Sequence, residues 1–207
     1  STDNGATWTE AQIISDGADP AIHDNSTRWE PTDGGLVTSD GKICFMVDAP
    51  GTTSNLWWSE DGGVSWQHSA DGASAGGIHA PLTELSDGRL FTIARAGGEE
   101  STYGDYSPQS YAAFDSSGVS WSVQSSPFHH IRFMQKPALG RMRYSPGEPM
   151  LLVMYTDLRN ETTYGIDAYN AEGVIETCYG MFAAVSFDDG QTWAAKRIMS
   201  DQTGSSS

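Results

Sequence analysis

The sequence predicts an all-β fold built from a repeated unit, and three observations carry that prediction. An octet of Ser, Asp, Gly, Ser or Thr and Trp recurs along the chain, Asp-Gly turns punctuate the stretches between, and no segment shows a sustained helical period. Composition agrees. The 207 residues suffice for one well-buried domain, and the 23 glycines and seven tryptophans suit a protein of many turns and flat packed faces.

The octet is clearest at Ser186-Phe187-Asp188-Asp189-Gly190-Gln191-Thr192-Trp193. Further copies are Ser1-Thr2-Asp3-Asn4-Gly5-Ala6-Thr7-Trp8 and Ser59-Glu60-Asp61-Gly62-Gly63-Val64-Ser65-Trp66, with a degenerate one at Phe114-Asp115-Ser116-Ser117-Gly118-Val119-Ser120-Trp121, where Ser116 replaces Asp. Each reads as a hairpin turn. Glycine supplies a positive φ, the short Asp or Ser side chain bonds turn amides, and Trp starts the next strand and buries a broad face between units. The four tryptophans fall roughly 55 to 72 residues apart, a length that suits one four-stranded unit per repeat.

These octets resemble Asp-boxes, the repeats of the sialidase-like β-propellers, also called BNR repeats. The resemblance spans essentially the whole chain and implies a six-bladed family, of which three complete four-stranded blades and one outer strand are expected here. Residues 1–15 would be the outer strand of a preceding blade, 16–73, 74–128 and 129–203 the three blades, and 204–207 a tail. Strands are expected near 35–39, 42–49 and 55–59, then from Ser65; at 81–86, 90–96, 110–114 and 121–125; and at 137–144, 150–155, 180–186 and 193–200. The hairpin turns are Asp40-Gly41-Lys42, Asp87-Gly88-Arg89 and Ser145-Pro146-Gly147, and a loop of some twenty residues is expected before Gly180. Three blades do not close a ring, so self-association or a missing propeller half is expected to cover the open faces.

Charge and composition remove several classes. A formal charge of −16, from 27 acids against 11 bases without a basic stripe, argues against nucleic acid as partner. No apolar run approaches the ~18 residues of a membrane span. The acidity reads as a solvated surface fed by turn aspartates, and no twelve-residue calcium loop is present. Phosphate-loop, dinucleotide, nucleophile-elbow and zinc-protease motifs are missing too, and no cofactor is implied. Cys44 and Cys178 read as two thiols, with a disulfide left open by sequence alone.

Strand parity places the candidate site. In a four-stranded meander the Asp-boxes and the Asp-Gly turns share one rim, which leaves the second-to-third loops and the inter-unit connectors on the other. That other rim collects His23, His79, His129 and His130, Arg28, Arg95, Arg132 and Arg159, and Glu30, Asp48, Asp157, Tyr103, Tyr106 and Tyr164. An arginine- and histidine-bearing mouth on an acidic protein points to an anionic or polar sugar ligand. Carbohydrate is therefore the expected partner. The adjacent His129 and His130 lack the further spaced ligands a metal needs, so no metal site is assigned.

The resemblance sharpens individual roles. Sialidases carry a Glu at the head of an inner strand shortly before an Asp-Gly turn, as Glu30 stands before Asp40-Gly41; His79 holds the equivalent place before Asp87-Gly88. Arg95 and Arg159, at the ends of second strands, resemble two of three arginines that grip the substrate carboxylate, whereas the first blade departs by carrying Asp48 there. Arg28 and Gln135 complete the candidate contacts. In the family a Glu-activated Tyr attacks the anomeric carbon while an Asp protonates the leaving oxygen, because an anionic nucleophile would be repelled by the sugar carboxylate. Neither that Tyr nor that Asp is assigned, although Tyr164 and Tyr179 lie nearest by loop position. The implied activity is exo-glycosidic removal of terminal sugars outside the cytoplasm. Two alternatives stand beside it: a propeller that only binds glycan or protein, and a polysaccharide lyase with His79 as base. The plainer reading of Glu30, Arg95 and Arg159 is of strand-end ion pairs, and that of His79 is of a hydrogen-bonded connector.

Overall fold

The computed structural model of the chain describes residues 1, 3–10, 30–32, 34–49, 53–69, 75–95, 106–116, 118–129, 136–143, 147–155, 166–178 and 180–201. Among these there is no helix, and three sheets follow one another along the chain. The first contains β1 (Glu30–Pro31), β2 (Leu36–Val37), β3 (Ile43–Ala49), β4 (Thr53–Ser59) and β5 (Gln67–His68). β1 and β2 lie on the same side of β3, Glu30 opposite Asp48 and Leu36 opposite Cys44, and so form one interrupted edge strand. The second sheet pairs β6 (Thr83–Glu84), β7 (Leu90–Ile93), β8 (Tyr106–Asp115) and β9 (Gly118–His129) in chain order.

The third sheet has more strands than the expected four. It contains β10 (Ala138–Arg141), β11 (Met150–Tyr155), β12 (Ile166–Tyr169), β13 (Ile175–Cys178), β14 (Gly180–Ser186) and β15 (Ala194–Asp201), ordered β10-β11-β14-β15-β12-β13. The loop expected before Gly180 thus contains a hairpin, joined to β15 by a parallel bridge between Tyr169 and Arg197. Its turn is held by Asn170, whose Oδ1 accepts the N–H groups of Glu172 at 3.1 Å and Val174 at 2.9 Å, with Gly173 at φ 78°.

Alternation along the strands decides how the sheets stack. On β7, Leu90 joins Cys44, Met46, Leu56 and Trp58 of the first sheet, while Phe91 and Ile93 join Met150, Leu152 and Met154 of the third. The middle sheet is therefore covered on both faces, and every residue of β7 is buried. Each large side chain taken out of water there contributes about 1.5–3 kcal/mol. Trp193 closes the second interface, edge-on to Phe128 at 5.6 Å and tilted against Phe91 at 6.3 Å.

The intact octets fold alike. In all three the Ser hydroxyl donates to the Asp carboxylate (2.8, 2.8 and 2.9 Å) and accepts the Gly N–H (2.9, 2.8 and 2.9 Å). The same Asp accepts the N–H (2.8 Å each) and the hydroxyl (2.6, 2.6 and 2.5 Å) of the Thr or Ser four residues on. Asn4, Gly62 and Asp189, just before the conserved-register glycine of each copy, share its left-handed backbone, which explains why only Asn, Gly and Asp stand there. The tryptophans differ more than expected: Trp193 is buried and Trp66 half-buried, but Trp8 is 78% exposed. The degenerate copy has Phe114 where the hydroxyl should be and Ser116 where the carboxylate should be. It folds as a tight hairpin instead, Asp115 opposite Gly118.

These turns sit at one end of the strands, where Ile43 faces Ser59 and Met150 faces Ser186. Glu30, Asp48, Ser54 and the connector leading into β6 sit at the other. The separation expected from strand parity is present in the first sheet and at its junction with the second.

Candidate functional site

The far end of β3 supplies a carboxylate, and the register of the first sheet sets what faces it. Asp48 stands directly opposite Ser54 on β4 and opposite Glu30 on β1. Across this end runs the connector from the first sheet to the second. Its Gly77 carbonyl accepts Ser54 N–H at 2.7 Å, and Ile78 exchanges two backbone hydrogen bonds of 2.8 Å with Arg95 at the end of β7. The chain is so close to β7 that a Cβ on Gly77 would lie 2.3 Å from the Arg95 carbonyl oxygen.

His79 follows, and its backbone is in the left-handed region at φ 54°. For a residue with a Cβ that conformation costs about 1–2 kcal/mol. Asp48 holds it in place. The carboxylate accepts His79 N–H at 2.9 Å on Oδ1 and 3.2 Å on Oδ2, and Oδ2 lies 2.7 Å from His79 Nδ1. Ser54 Oγ donates to Oδ1 at 2.5 Å and accepts Ala80 N–H at 3.3 Å. Both side chains of the pair are largely out of solvent, at 14% and 11% exposure.

Burial pushes the His79 pKa down. Asp48 opposes that shift, while the charges of Lys136 and Arg95 reinforce it. The imidazole is thus neutral at neutral pH and lies in the field of two cations. With both carboxylate oxygens engaged, Asp48 is the fixture and His79 the presented group. A neutral imidazole can accept a hydrogen bond or a proton, and the two cations favour an anion near it. Among the described residues no three His, Cys, Asp or Glu side chains group as metal ligands.

Of the residues expected at this rim, the structure brings Asp48, His79 and Arg95 together, and Glu30 shares the Asp48 register. Arg28, Gln135 and Arg159 lie outside the described residues, as do Tyr164 and Tyr179. Two contributors had not been singled out. Ser54 was legible in principle, because a short hairpin between β3 and β4 pairs it with Asp48; Lys136 carries no motif of its own.

A concavity of about 760 Å³ runs along β2, β6 and β10 at the opposite end. Of its charged groups, Glu84 and Arg141 are occupied in joining sheets. Glu84 accepts Ser39 N–H at 2.9 Å and Ser39 Oγ–H at 2.7 Å, and Arg141 donates to the Glu84 carbonyl at 3.1 Å, the Glu148 carbonyl at 2.9 Å and Asp189 Oδ1 at 2.6 Å. It is a joint between sheets. Cys44 lies buried in the first interface as a free thiol, and burial pushes its pKa up to about 12, so it is inert.

No family model and no curated protein matches the chain. Among solved structures, a protein of unknown function from Dyadobacter fermentans is similar with a TM-score of 0.60 at 17% identity, over 99% of this chain and 52% of that one. A mutant of NanB sialidase from Streptococcus pneumoniae aligns with a TM-score of 0.49 at 15% identity, over 78% of this chain and 22% of that one. The chain spans about half the length of the Dyadobacter protein, and the likeness to it is one of fold.

Proposed function

We propose that this chain is part of a sialidase-like β-propeller of the Asp-box kind that handles an anionic sugar at the rim opposite its Asp-boxes, as an exo-glycosidase trimming terminal sugars from glycans outside the cytoplasm. The observation that supports it is the gathering of Asp48, His79 and Arg95 at that rim, with Lys136 contributing to the same field. A sugar carboxylate would be held by the two cations, and a ring hydroxyl would donate to the neutral imidazole. Glu30, Arg28, Arg159 and Gln135 are the further proposed contacts. The remaining propeller surface would come from a second copy or from a missing half.

The test is a ligand titration followed by NMR, with sialic acid, glucuronic acid and neutral galactose as probes, together with hydrolysis of an aryl sialoside. Anionic sugars should shift signals around residues 77–80 and galactose should not, with Arg95→Gln weakening the response about tenfold, the effect of losing one charged hydrogen bond. Equal or absent responses to all three sugars would sink the proposal. Binding without sialoside cleavage would reduce it to the glycan-binding alternative. The lyase reading is favoured by one observation, a neutral histidine fixed by a carboxylate beside cations, which suits removal of the proton alpha to a uronate carboxylate. An unsaturated, ultraviolet-absorbing product from a uronate polymer would select it.

A further inference from the structure

Ser54 is fully buried and spends every polar atom on the few residues around His79. Its hydroxyl hydrogen goes to Asp48 Oδ1 at 2.5 Å and its oxygen accepts Ala80 N–H at 3.3 Å. Its N–H goes to the Gly77 carbonyl at 2.7 Å and its carbonyl accepts Ala75 N–H at 3.1 Å. One residue therefore fixes the connector on both sides of His79 as well as the carboxylate that faces it. With Oδ1 taken by Ser54 Oγ and His79 N–H, the carboxylate is held with Oδ2 at 2.7 Å from Nδ1. Oδ2 lies off the in-plane direction of Nδ1, so the contact is close without a well-aligned hydrogen bond. Yet an unprotonated Nδ1 would set its lone pair beside an anionic oxygen, whereas an N–H there sets the positive end of its dipole beside it. The hydrogen therefore belongs on Nδ1 and the lone pair on Nε2.

We infer that Ser54 is a positioning residue: its hydroxyl locks the Asp48 carboxylate in the orientation that fixes His79 as the Nδ1–H tautomer and leaves Nε2 as the acceptor for a sugar hydroxyl. The last step rests on the reading of His79 as a sugar contact, whereas the tautomer and its dependence on Ser54 are properties of the free protein. Removing the hydroxyl has two consequences. The carboxylate loses a donor that disperses its charge, so it becomes a stronger counter-charge to the imidazolium, and it gains freedom to turn, so the two tautomers mix.

The experiment is long-range nitrogen–proton NMR of the imidazoles across a pH titration, on the wild type, Ser54→Ala, Ser54→Cys and Ser54→Thr, with His79→Asn to assign the signals. Wild type and Ser54→Thr, which keep the hydroxyl, should show the Nδ1–H tautomer with coincident titrations. Ser54→Ala, and Ser54→Cys with its near-equal volume and weak donor, should titrate at higher pH and show tautomer mixing. A purely structural role would lower the melting temperature without moving either readout. Folded Ala or Cys variants with wild-type His79 behaviour would overturn the inference, as would a wild-type His79 protonated on Nε2. The wild-type tautomer decides even if a variant fails to fold. The sugar titration is scored separately: tautomer shifts without sugar binding would leave the Ser54 role standing and remove the function proposed for it.

Discussion

Gly77 shows how little room the connector has. A methyl group there meets the Arg95 carbonyl oxygen at 2.3 Å, Pro108 Cγ at 2.9 Å and Ala94 Cβ at 3.0 Å, and the first of these is backbone that cannot rotate away. Gly77→Ala should therefore cost about 1–3 kcal/mol by denaturant unfolding, the range for overpacking, whereas Gly140→Ala, with nothing near its Cβ, should not. Two variants of equal stability would sink this account. His79 supplies a pH prediction at the same scale. Its pKa is lowered in the fold, so the folded state prefers the neutral ring; the full stability is present above the unfolded value of about 6.5 and declines as pH falls through the lower folded value. His79→Asn removes the titration while keeping a residue that tolerates φ 54°, and should flatten the loss of stability as pH falls below about 6.5 relative to wild type. Parallel stability–pH curves would show that His79 does not carry it. The Asp48 contact with His79 N–H joins residues 31 apart through strand register, which is why the sequence displayed both on one rim but not the bond between them. For Glu30 the structure gives only a backbone position, opposite Asp48 across the edge of the first sheet.

At the scale of the element, the octet is legible because its chemistry is local. Its bonds span two to four residues, so the pattern of Ser, Asp, Gly and Thr is the structure written out. The degenerate copy supplies the converse. In its hairpin Ser120 stands opposite Ala113 and its hydroxyl donates to the Ala113 carbonyl at 3.4 Å, so an Asp at position 116 would not meet the partner that the intact copies supply, and Phe114 leaves no hydroxyl to bind that Asp or the Gly118 N–H. Ser116→Asp should consequently change stability by no more than about 0.5 kcal/mol, and Asp188→Ala, in an intact copy, should cost about 1 kcal/mol. A large gain from Ser116→Asp would mean that the carboxylate alone organises the turn. Phe114 is also no free position, since its ring meets Trp58 edge-on at 5.4 Å in the first interface. The hairpin β12–β13 was the element least visible beforehand. Its strands have four residues each, and the Asn170 to Gly173 turn that makes it is the same chemistry as an ordinary loop until the flanking strands pair.

At the scale of the molecule, stability is distributed by position in the stack. The middle sheet loses contacts on both faces when it opens, whereas the first and third each lose one packed interface with it. Cross-sheet bonds follow the same order: Ser39 to Glu84 joins the first sheet to the second, and Arg141 and Ser86 meet at Asp189 to join the second to the third. In a stack of nearest-neighbour interfaces, a cavity in one interface weakens its two sheets directly and the distant sheet only through the middle one. Leu56→Ala, fully buried between the first and second sheets, should cost about 2–5 kcal/mol there. Native-state hydrogen exchange gives the distribution. Amides of β7 should exchange only by global unfolding in the wild type, and Leu56→Ala should lower protection most in β3 and β4 and least in β11 and β14. Equal losses across all three sheets would mean that the stack opens as one cooperative unit. The rim carrying Asp48, His79 and Arg95 would then hold its geometry for as long as any sheet is folded, because its connector is bonded to β4 on one side and β7 on the other.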